Sequence, residues 1–194
     1  MRIFLYICAL SMTLSCQKDK DVHWSDANID NNISKSFGIL QMDKEELPFL
    51  SNQINVKRTS NLLEYAEKAL DDNGINCEYS YSQYECKAQL HNSEFVTIDI
   101  GQHSYFGGRG YNVEYCKNAF RVEPYSYSDI SAGTEEKSVL KIIHQELLLD
   151  KLQYVVGDSL FGKINFQIIE TKDSEKNQYC LKGYFRTVVI SANM

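Results

Sequence analysis

The chain has 194 residues, 43% of them hydrophobic, and carries 26 acidic against 20 basic side chains, for a net charge of −6 and a pI of about 5.3. That length suffices for a single domain with a substantial core. The acidic balance excludes the footprint of a nucleic-acid binder, which neutralises phosphates with Lys and Arg, and no run of 18 apolar residues offers a membrane-spanning helix.

The first twenty residues, MRIFLYICALSMTLSCQKDK, open on a positive amine and Arg2, continue through an apolar run from Ile3 to Leu14, and end on small residues. This is the layout of a secretory signal. As a helix the apolar run rises only about 18 Å, short of the ~30 Å hydrocarbon core, so it predicts a leader over residues 1–15 and not a span. Thr13-Leu14-Ser15-Cys16 resembles the lipobox of bacterial lipoproteins, with Thr13 standing where the usual box has Leu. The resemblance implies that Cys16 is acylated, becomes the mature N-terminus, and ties the protein to a membrane through at least two chains, a durable anchor. Gln17 replaces the Asp that marks inner-membrane retention in that family, which implies the outer membrane, on either face.

Residues 16–36, rich in Asp, Asn, Ser and Lys, are expected to form a lipidated flexible tether ahead of a single domain over 37–194. Asp26, Asn28, Asp30 and Asn32 alternate as calcium-loop ligands do. Asn31, however, stands where the turn needs Gly, and Phe37 where a bidentate Glu is required, so no metal site is expected. With Cys16 lipidated, Cys77, Cys86, Cys116 and Cys180 leave an even four in an oxidising compartment, which predicts two disulfides. Three pairings are open, and proximity favours Cys77 with Cys86 and Cys116 with Cys180. No C-x2-C or H-x3-H spacing marks a zinc site.

A first helix is predicted from Asn61 to Asn73, with Asn61 and Glu64 as a capping box, Leu62, Ala66, Ala69 and Leu70 on one face, and Gly74 as the stop. The period then changes to two. Cys77, Tyr79 and Tyr81, followed by Tyr84, Cys86, Ala88 and Leu90, predict a hairpin turning at Tyr81-Ser82 that sets Cys77 opposite Cys86. A third strand runs from Phe95 to Ile100. Gly101 to Gly110 and Tyr125 to Gly133 read as loops, Tyr111 to Tyr115 as extended, and Asn118 to Glu123 as a short strand closed by Pro124. Tyr, Ser and Gly dominate this middle region, the composition of contact surfaces, and Tyr105, Arg109, Tyr111, Tyr125 and Tyr127 are the candidate partner-binding residues.

A second helix is predicted after Thr134, with Leu140, Ile143 and Leu147 on its apolar face and His144 at the core edge. The chain closes in a hairpin of Gly162 to Thr171 and Tyr179 to Ser191, where Gly183 marks a bulge or a close backbone approach. Gly157-Asp158-Ser159 matches a lipolytic nucleophile triplet but lacks the late Asp-x-x-His that goes with it. His23, His91, His103 and His144 are scattered, and no cofactor fingerprint occurs. These readings add up to an α+β fold, an antiparallel sheet of about six strands with two packed helices. The expected function is that of a membrane-anchored envelope lipoprotein with a non-catalytic binding domain, of inhibitor or immunity type, whose partner is a protein or other envelope ligand. The alternative is an envelope hydrolase with scattered catalytic carboxylates and a histidine.

Overall fold

The computed structural model describes residues 23–44, 58–68, 80–82, 84–92, 94–129, 139–172 and 175–192. They form β1 (Ser25–Asp26), β2 (Asn28–Ile29), a 3-10 turn (Ile33–Lys35), α1 (Phe37–Lys44), β3 (Ser60–Lys68), β4 (Ser80–Ser82) and β5 (Glu85–His91). Then come β6 (Phe95–Ser104), β7 (Gly107–Cys116), β8 (Ala119–Ser128), β9 (Val139–Leu149), β10 (Ser159–Lys172) and β11 (Glu175–Ser191). The strands make one mixed sheet in the order β1-β8-β7-β6-β5-β11-β10-β9-β2, with β3 branching onto β11 and β4 onto β3. The fold is therefore mostly β, and the expected α+β architecture with two packed helices is corrected.

The long strand β11 turns this sheet into two facing halves. One edge of β11 pairs with β10 from Glu175 to Val188; the other pairs with β3 over Asn177 to Phe185 and then, in parallel, with β5 over Val189 to Ser191. Alternation along each strand points Ile98, Val113 and Phe120 of one half and Leu147, Phe166 and Phe185 of the other into a single hydrophobic cluster. Gly183 in β11 has φ +143, and a Cβ there would stand 2.2 Å from the Asn61 carbonyl oxygen of β3. The close approach read from the sequence at this position is present, and only glycine meets both demands.

The two ends of the strand path, β1 and β2, are consecutive in sequence. Ser25 and Asp26 pair with Phe120 and Ala119 of β8, Asn28 and Ile29 pair with Leu148 and Leu149 of β9, and buried Ala27 crosses between the halves. Gln145 Nε2 donates to Ser25 Oγ at 2.9 Å and to the His23 carbonyl at 3.2 Å, and the Arg121 guanidinium lies 5.6 Å from the Trp24 ring centroid. Residues 23–36, expected within the tether, are thus a strap that closes the sheet, and Ile33 is buried beneath the 3-10 turn. Asp26 and Asn28 belong to the strap strands, and Asp30 accepts the Asn32 N–H at 2.9 Å. The leader and Cys16 lie outside the described residues.

Both predicted helices are strands where they are described, and the reason is visible in the register. In β9, Gln167 of β10 faces His144 while Ile168 faces Ile142, so Ile143 is a bulged extra residue. Before it Leu140 and Ile142 turn toward the core; after it Gln145, Leu147 and Leu149 do. That broken alternation imitates a helical spacing, and His144 is exposed on the outer face instead of at the core edge. In β3, Ser60, Leu62 and Glu64 alternate inward, so Glu64 is an interior residue and no cap. The predicted Tyr81-Ser82 hairpin is also replaced: β4 pairs with β3, whereas β5 pairs with β6 and β11.

Cys86, Cys116 and Cys180 are buried thiols, and the expected Cys116–Cys180 bridge is not formed. Cys116 ends β7 in one half and Cys180 lies in β11 of the other. Cys77 lies outside the described residues, and Cys86 has its place in β5 opposite Ile100. The C-terminal hairpin agrees with its prediction, with a continuous register from Ser159↔Val188 to Lys172↔Glu175.

Candidate functional site

Of the two segments read as loops, Gly101 to Gly110 is strand on either side of a two-residue turn and Tyr125 to Ser128 is strand, with 130–133 outside the described residues; the glycines of the first are its means of carrying rings. β6 and β7 extend to a two-residue turn at Tyr105-Phe106, and β8 continues through Pro124 to Ser128. Proline is tolerated there because the only partners of β8 on its far side, among the described residues, are at Ala119 and Phe120. Pairing places Tyr125 beside Gly110 and Gly110 beside Gly101; the next row places Tyr127 beside Gly108 and Gly108 beside His103.

On this outer face the Tyr125 side chain lies across Gly101, whose added Cβ would be 2.0 Å from the Tyr125 hydroxyl. The Tyr127 ring lies on Gly108, whose Cβ would meet ring atoms at 2.7 Å and 2.8 Å. His103 completes the group. Its ring centroid is 6.2 Å from that of Tyr125 and 6.4 Å from that of Tyr127, and the two tyrosine centroids are 6.4 Å apart. Interplanar angles of 18°, 32° and 19° leave the three rings nearly parallel. Separations this wide, with hydrogen bonds running edge to edge, mean rings side by side as a pavement and not a column.

Asp99 locks the pavement. Its Oδ1 accepts the Tyr125 hydroxyl at 2.6 Å and its Oδ2 lies 2.8 Å from His103 Nε2. A carboxylate accepts from the His103 Nε2–H, and on the ring's other side Nδ1 lies 3.2 Å from the Tyr127 hydroxyl. Burial first, and then the bond to Asp99, pushes the Tyr125 hydroxyl's pKa well up, so it stays a donor. At the adjoining turn Tyr105 is 96% and Phe106 75% exposed, and Tyr127 is 51% exposed. Ser104 Oγ donates to the Gly107 carbonyl at 2.8 Å and accepts the Phe106 N–H at 3.3 Å, which fixes the turn.

A second polar cluster lies at the mouth between the halves. Glu64, only 6% exposed, accepts the Tyr84 hydroxyl and, at 2.9 Å, the Tyr111 hydroxyl on Oε1, while Arg109 Nη2 approaches Oε2 at 3.4 Å. Desolvation, followed by the Glu64 charge, raises the pKa of Tyr111 and keeps it protonated. Across a cavity of about 210 Å³, Tyr179 donates to Glu170 Oε2 at 2.8 Å, and its own pKa is pushed up to about 12 by burial and then by that bond. A buried carboxylate needs such partners. These carboxylates are held by tyrosine hydroxyls, and the histidines are elsewhere: His103 on the pavement, and His144 beside Asn165 at 3.1 Å on the outer face of β9.

The candidate partner-binding residues therefore separate. Tyr105, Tyr125 and Tyr127 come together on one outer face; Arg109 sits at the cavity mouth; Tyr111, 2% exposed, is a core residue. His103 and Asp99 belong to the face and were missed, although Asp99 and His103 four apart in an otherwise apolar-alternating stretch were the available signal. No group of His, Cys, Asp or Glu suited to a metal ion occurs among the described residues. No protein-family model, curated protein or solved structure matches the chain.

Proposed function

We propose that the protein is a lipid-anchored component of the bacterial cell envelope, held at the outer membrane through Cys16, with a non-catalytic β domain that binds an envelope ligand. The observation that carries the binding role is the outer face of β6, β7 and β8: Tyr125, Tyr127 and His103 laid flat on glycines beside a turn that exposes Tyr105 and Phe106. Large aromatic side chains held rigidly in solvent forfeit their burial energy unless something covers them, and tyrosine supplies contact area at small entropic cost. The anchor rests on the leader and the lipobox-like Thr13 to Cys16. An inhibitor or immunity-type role falls within this reading if the covering ligand is a protein.

Two measurements test it. Cys16→Ser is expected to move the protein from the membrane to the soluble fraction; unchanged fractionation removes the anchor. Cross-linking in intact cells is expected to trap an envelope component through Tyr105 and Tyr127, and a yield that is the same in a Tyr105→Ser/Tyr127→Ala variant removes the assignment of this face.

A further inference from the structure

We propose that the pavement of Tyr125, Tyr127 and His103 around Asp99 is a carbohydrate-binding site for a neutral pyranose chain. This rests on the reading of that face as the binding face and names its ligand class. A ligand complementary to it must offer a flat apolar side to three rings inclined to one another by 18° to 32° and hydroxyl groups to the carboxylate hydrogen-bonded at their edges. Sugar rings with equatorial hydroxyls have both: axial C–H bonds form the flat side, and hydroxyls project from the rim.

The geometry favours this class over others. Asp99 receives one hydrogen bond on each oxygen, so each keeps a lone pair for a ligand hydroxyl. Nucleobases also stack on tyrosine, but they bring phosphates, and a chain of net charge −6 with a carboxylate in the centre of the platform repels them. A peptide partner would gain most from pockets that receive side chains; the cavity of about 210 Å³ beside Tyr125 is lined largely by hydroxyl and carboxylate groups, and the rings themselves are pinned from below by glycine and from the edges by hydrogen bonds. Three ring centroids at 6.2 Å to 6.4 Å make a surface wider than one sugar ring, so an oligosaccharide fits better than a monosaccharide. Rigidity matters because the rings lose no freedom on binding.

The test is retention of the full chain, in detergent, on immobilised neutral polysaccharides: a β-glucan, an α-glucan, a xylan, a mannan and a polymer of N-acetylglucosamine. Wild-type protein is expected to bind at least one. Tyr127→Ala removes a ring; Gly108→Ala keeps every ring but puts a Cβ where the Tyr127 ring lies. Each is expected to weaken binding roughly tenfold or more with the thermal midpoint little changed, since Tyr127 is half exposed and its displacement toward solvent gives up only the 3.2 Å hydrogen bond to His103. Val155→Ala, on an exposed residue outside the face, is the control and leaves binding intact. Failure of wild type to bind any of the five, or retention undiminished by both variants, overturns the carbohydrate assignment. If wild type binds none of them while Tyr127→Ala still abolishes cross-linking to a protein, the ligand class falls and the binding face stands. If neither readout depends on the face, both readings fall.

Discussion

Glu64 offers the sharpest quantitative test of the interior. Glu64→Ala leaves the hydroxyls of Tyr84 and Tyr111, which are 4% and 2% exposed, without their shared acceptor. A buried hydroxyl that loses its acceptor costs about 1–3 kcal/mol. Two effects offset part of this: the burial penalty of the carboxylate disappears, and the adjoining cavity of about 210 Å³ can admit a water to one hydroxyl. The expected net loss is about 2–3 kcal/mol. Glu64→Gln keeps an acceptor oxygen for both tyrosines and weakens the 3.4 Å contact with a half-exposed Arg109, so it should cost under about 1 kcal/mol. Tyr111→Phe alone should cost about 1 kcal/mol, yet in the Glu64→Ala background it should be close to neutral because it removes a donor that is already orphaned. Urea unfolding of the wild type and the four variants measures the coupling directly. Equal losses for Ala and Gln at position 64, or additive losses for Glu64→Ala and Tyr111→Phe, would refute the clamp and mean that charge or volume alone is at stake.

Alkaline titration follows from the tyrosines. The folded pKa of Tyr179 is raised to about 12, and those of Tyr111, Tyr125 and Tyr154 are raised as well, so their contribution is full below the unfolded value of about 10 and is lost as pH climbs through it. The unfolding midpoint should fall between pH 10 and 12, with tyrosinate absorbance appearing together with loss of structure; a full rise of absorbance before unfolding would contradict this. Gly183→Ala forces a Cβ to within 2.2 Å of the Asn61 carbonyl at φ +143 and should cost about 1–3 kcal/mol, read as a lowered thermal midpoint. Native protein should react slowly with a thiol reagent at Cys86, Cys116 and Cys180 and fully once unfolded, with the raised pKa of Cys86 from burial and then Asp99 depleting its thiolate; a Cys116–Cys180 peptide in non-reducing mass mapping would contradict the thiol assignment.

What could be read from the chain depended on whether one strand carried its own signal. β10 and β11 alternate without interruption for most of their length, and their hairpin was legible. β9 was not, because the bulge at Ile143 switches the inward parity from Leu140 and Ile142 to Gln145 and Leu147, and the sum of two out-of-phase strand patterns has the spacing of a helix. β3 failed for a related reason: Glu64 looked like a capping residue because its interior partners, Tyr84, Tyr111 and Arg109, are remote in sequence. The glycines of 101–110 read as loop formers since the rings that need them, Tyr125 and Tyr127, come from another strand. Composition grouped Tyr105, Tyr125 and Tyr127 as neighbours in kind, and the register sets Tyr125 and Tyr127 beside the hairpin whose turn carries Tyr105.

The strap gives the proposed anchor a direction. Six residues separate Cys16 from His23, and the seven steps between them span at most about 25 Å. With Cys16 acylated, the chain therefore enters the domain close to the bilayer, at β1, which is paired with Ala119 and Phe120 at the start of β8. Tyr127 lies seven residues further along the same strand, roughly 23 Å at the rise of an antiparallel strand. β8 thus runs from the strap to the pavement, and under the proposed anchoring at Cys16 the closing strap would take the load while the aromatic face stands at the other end of the strand.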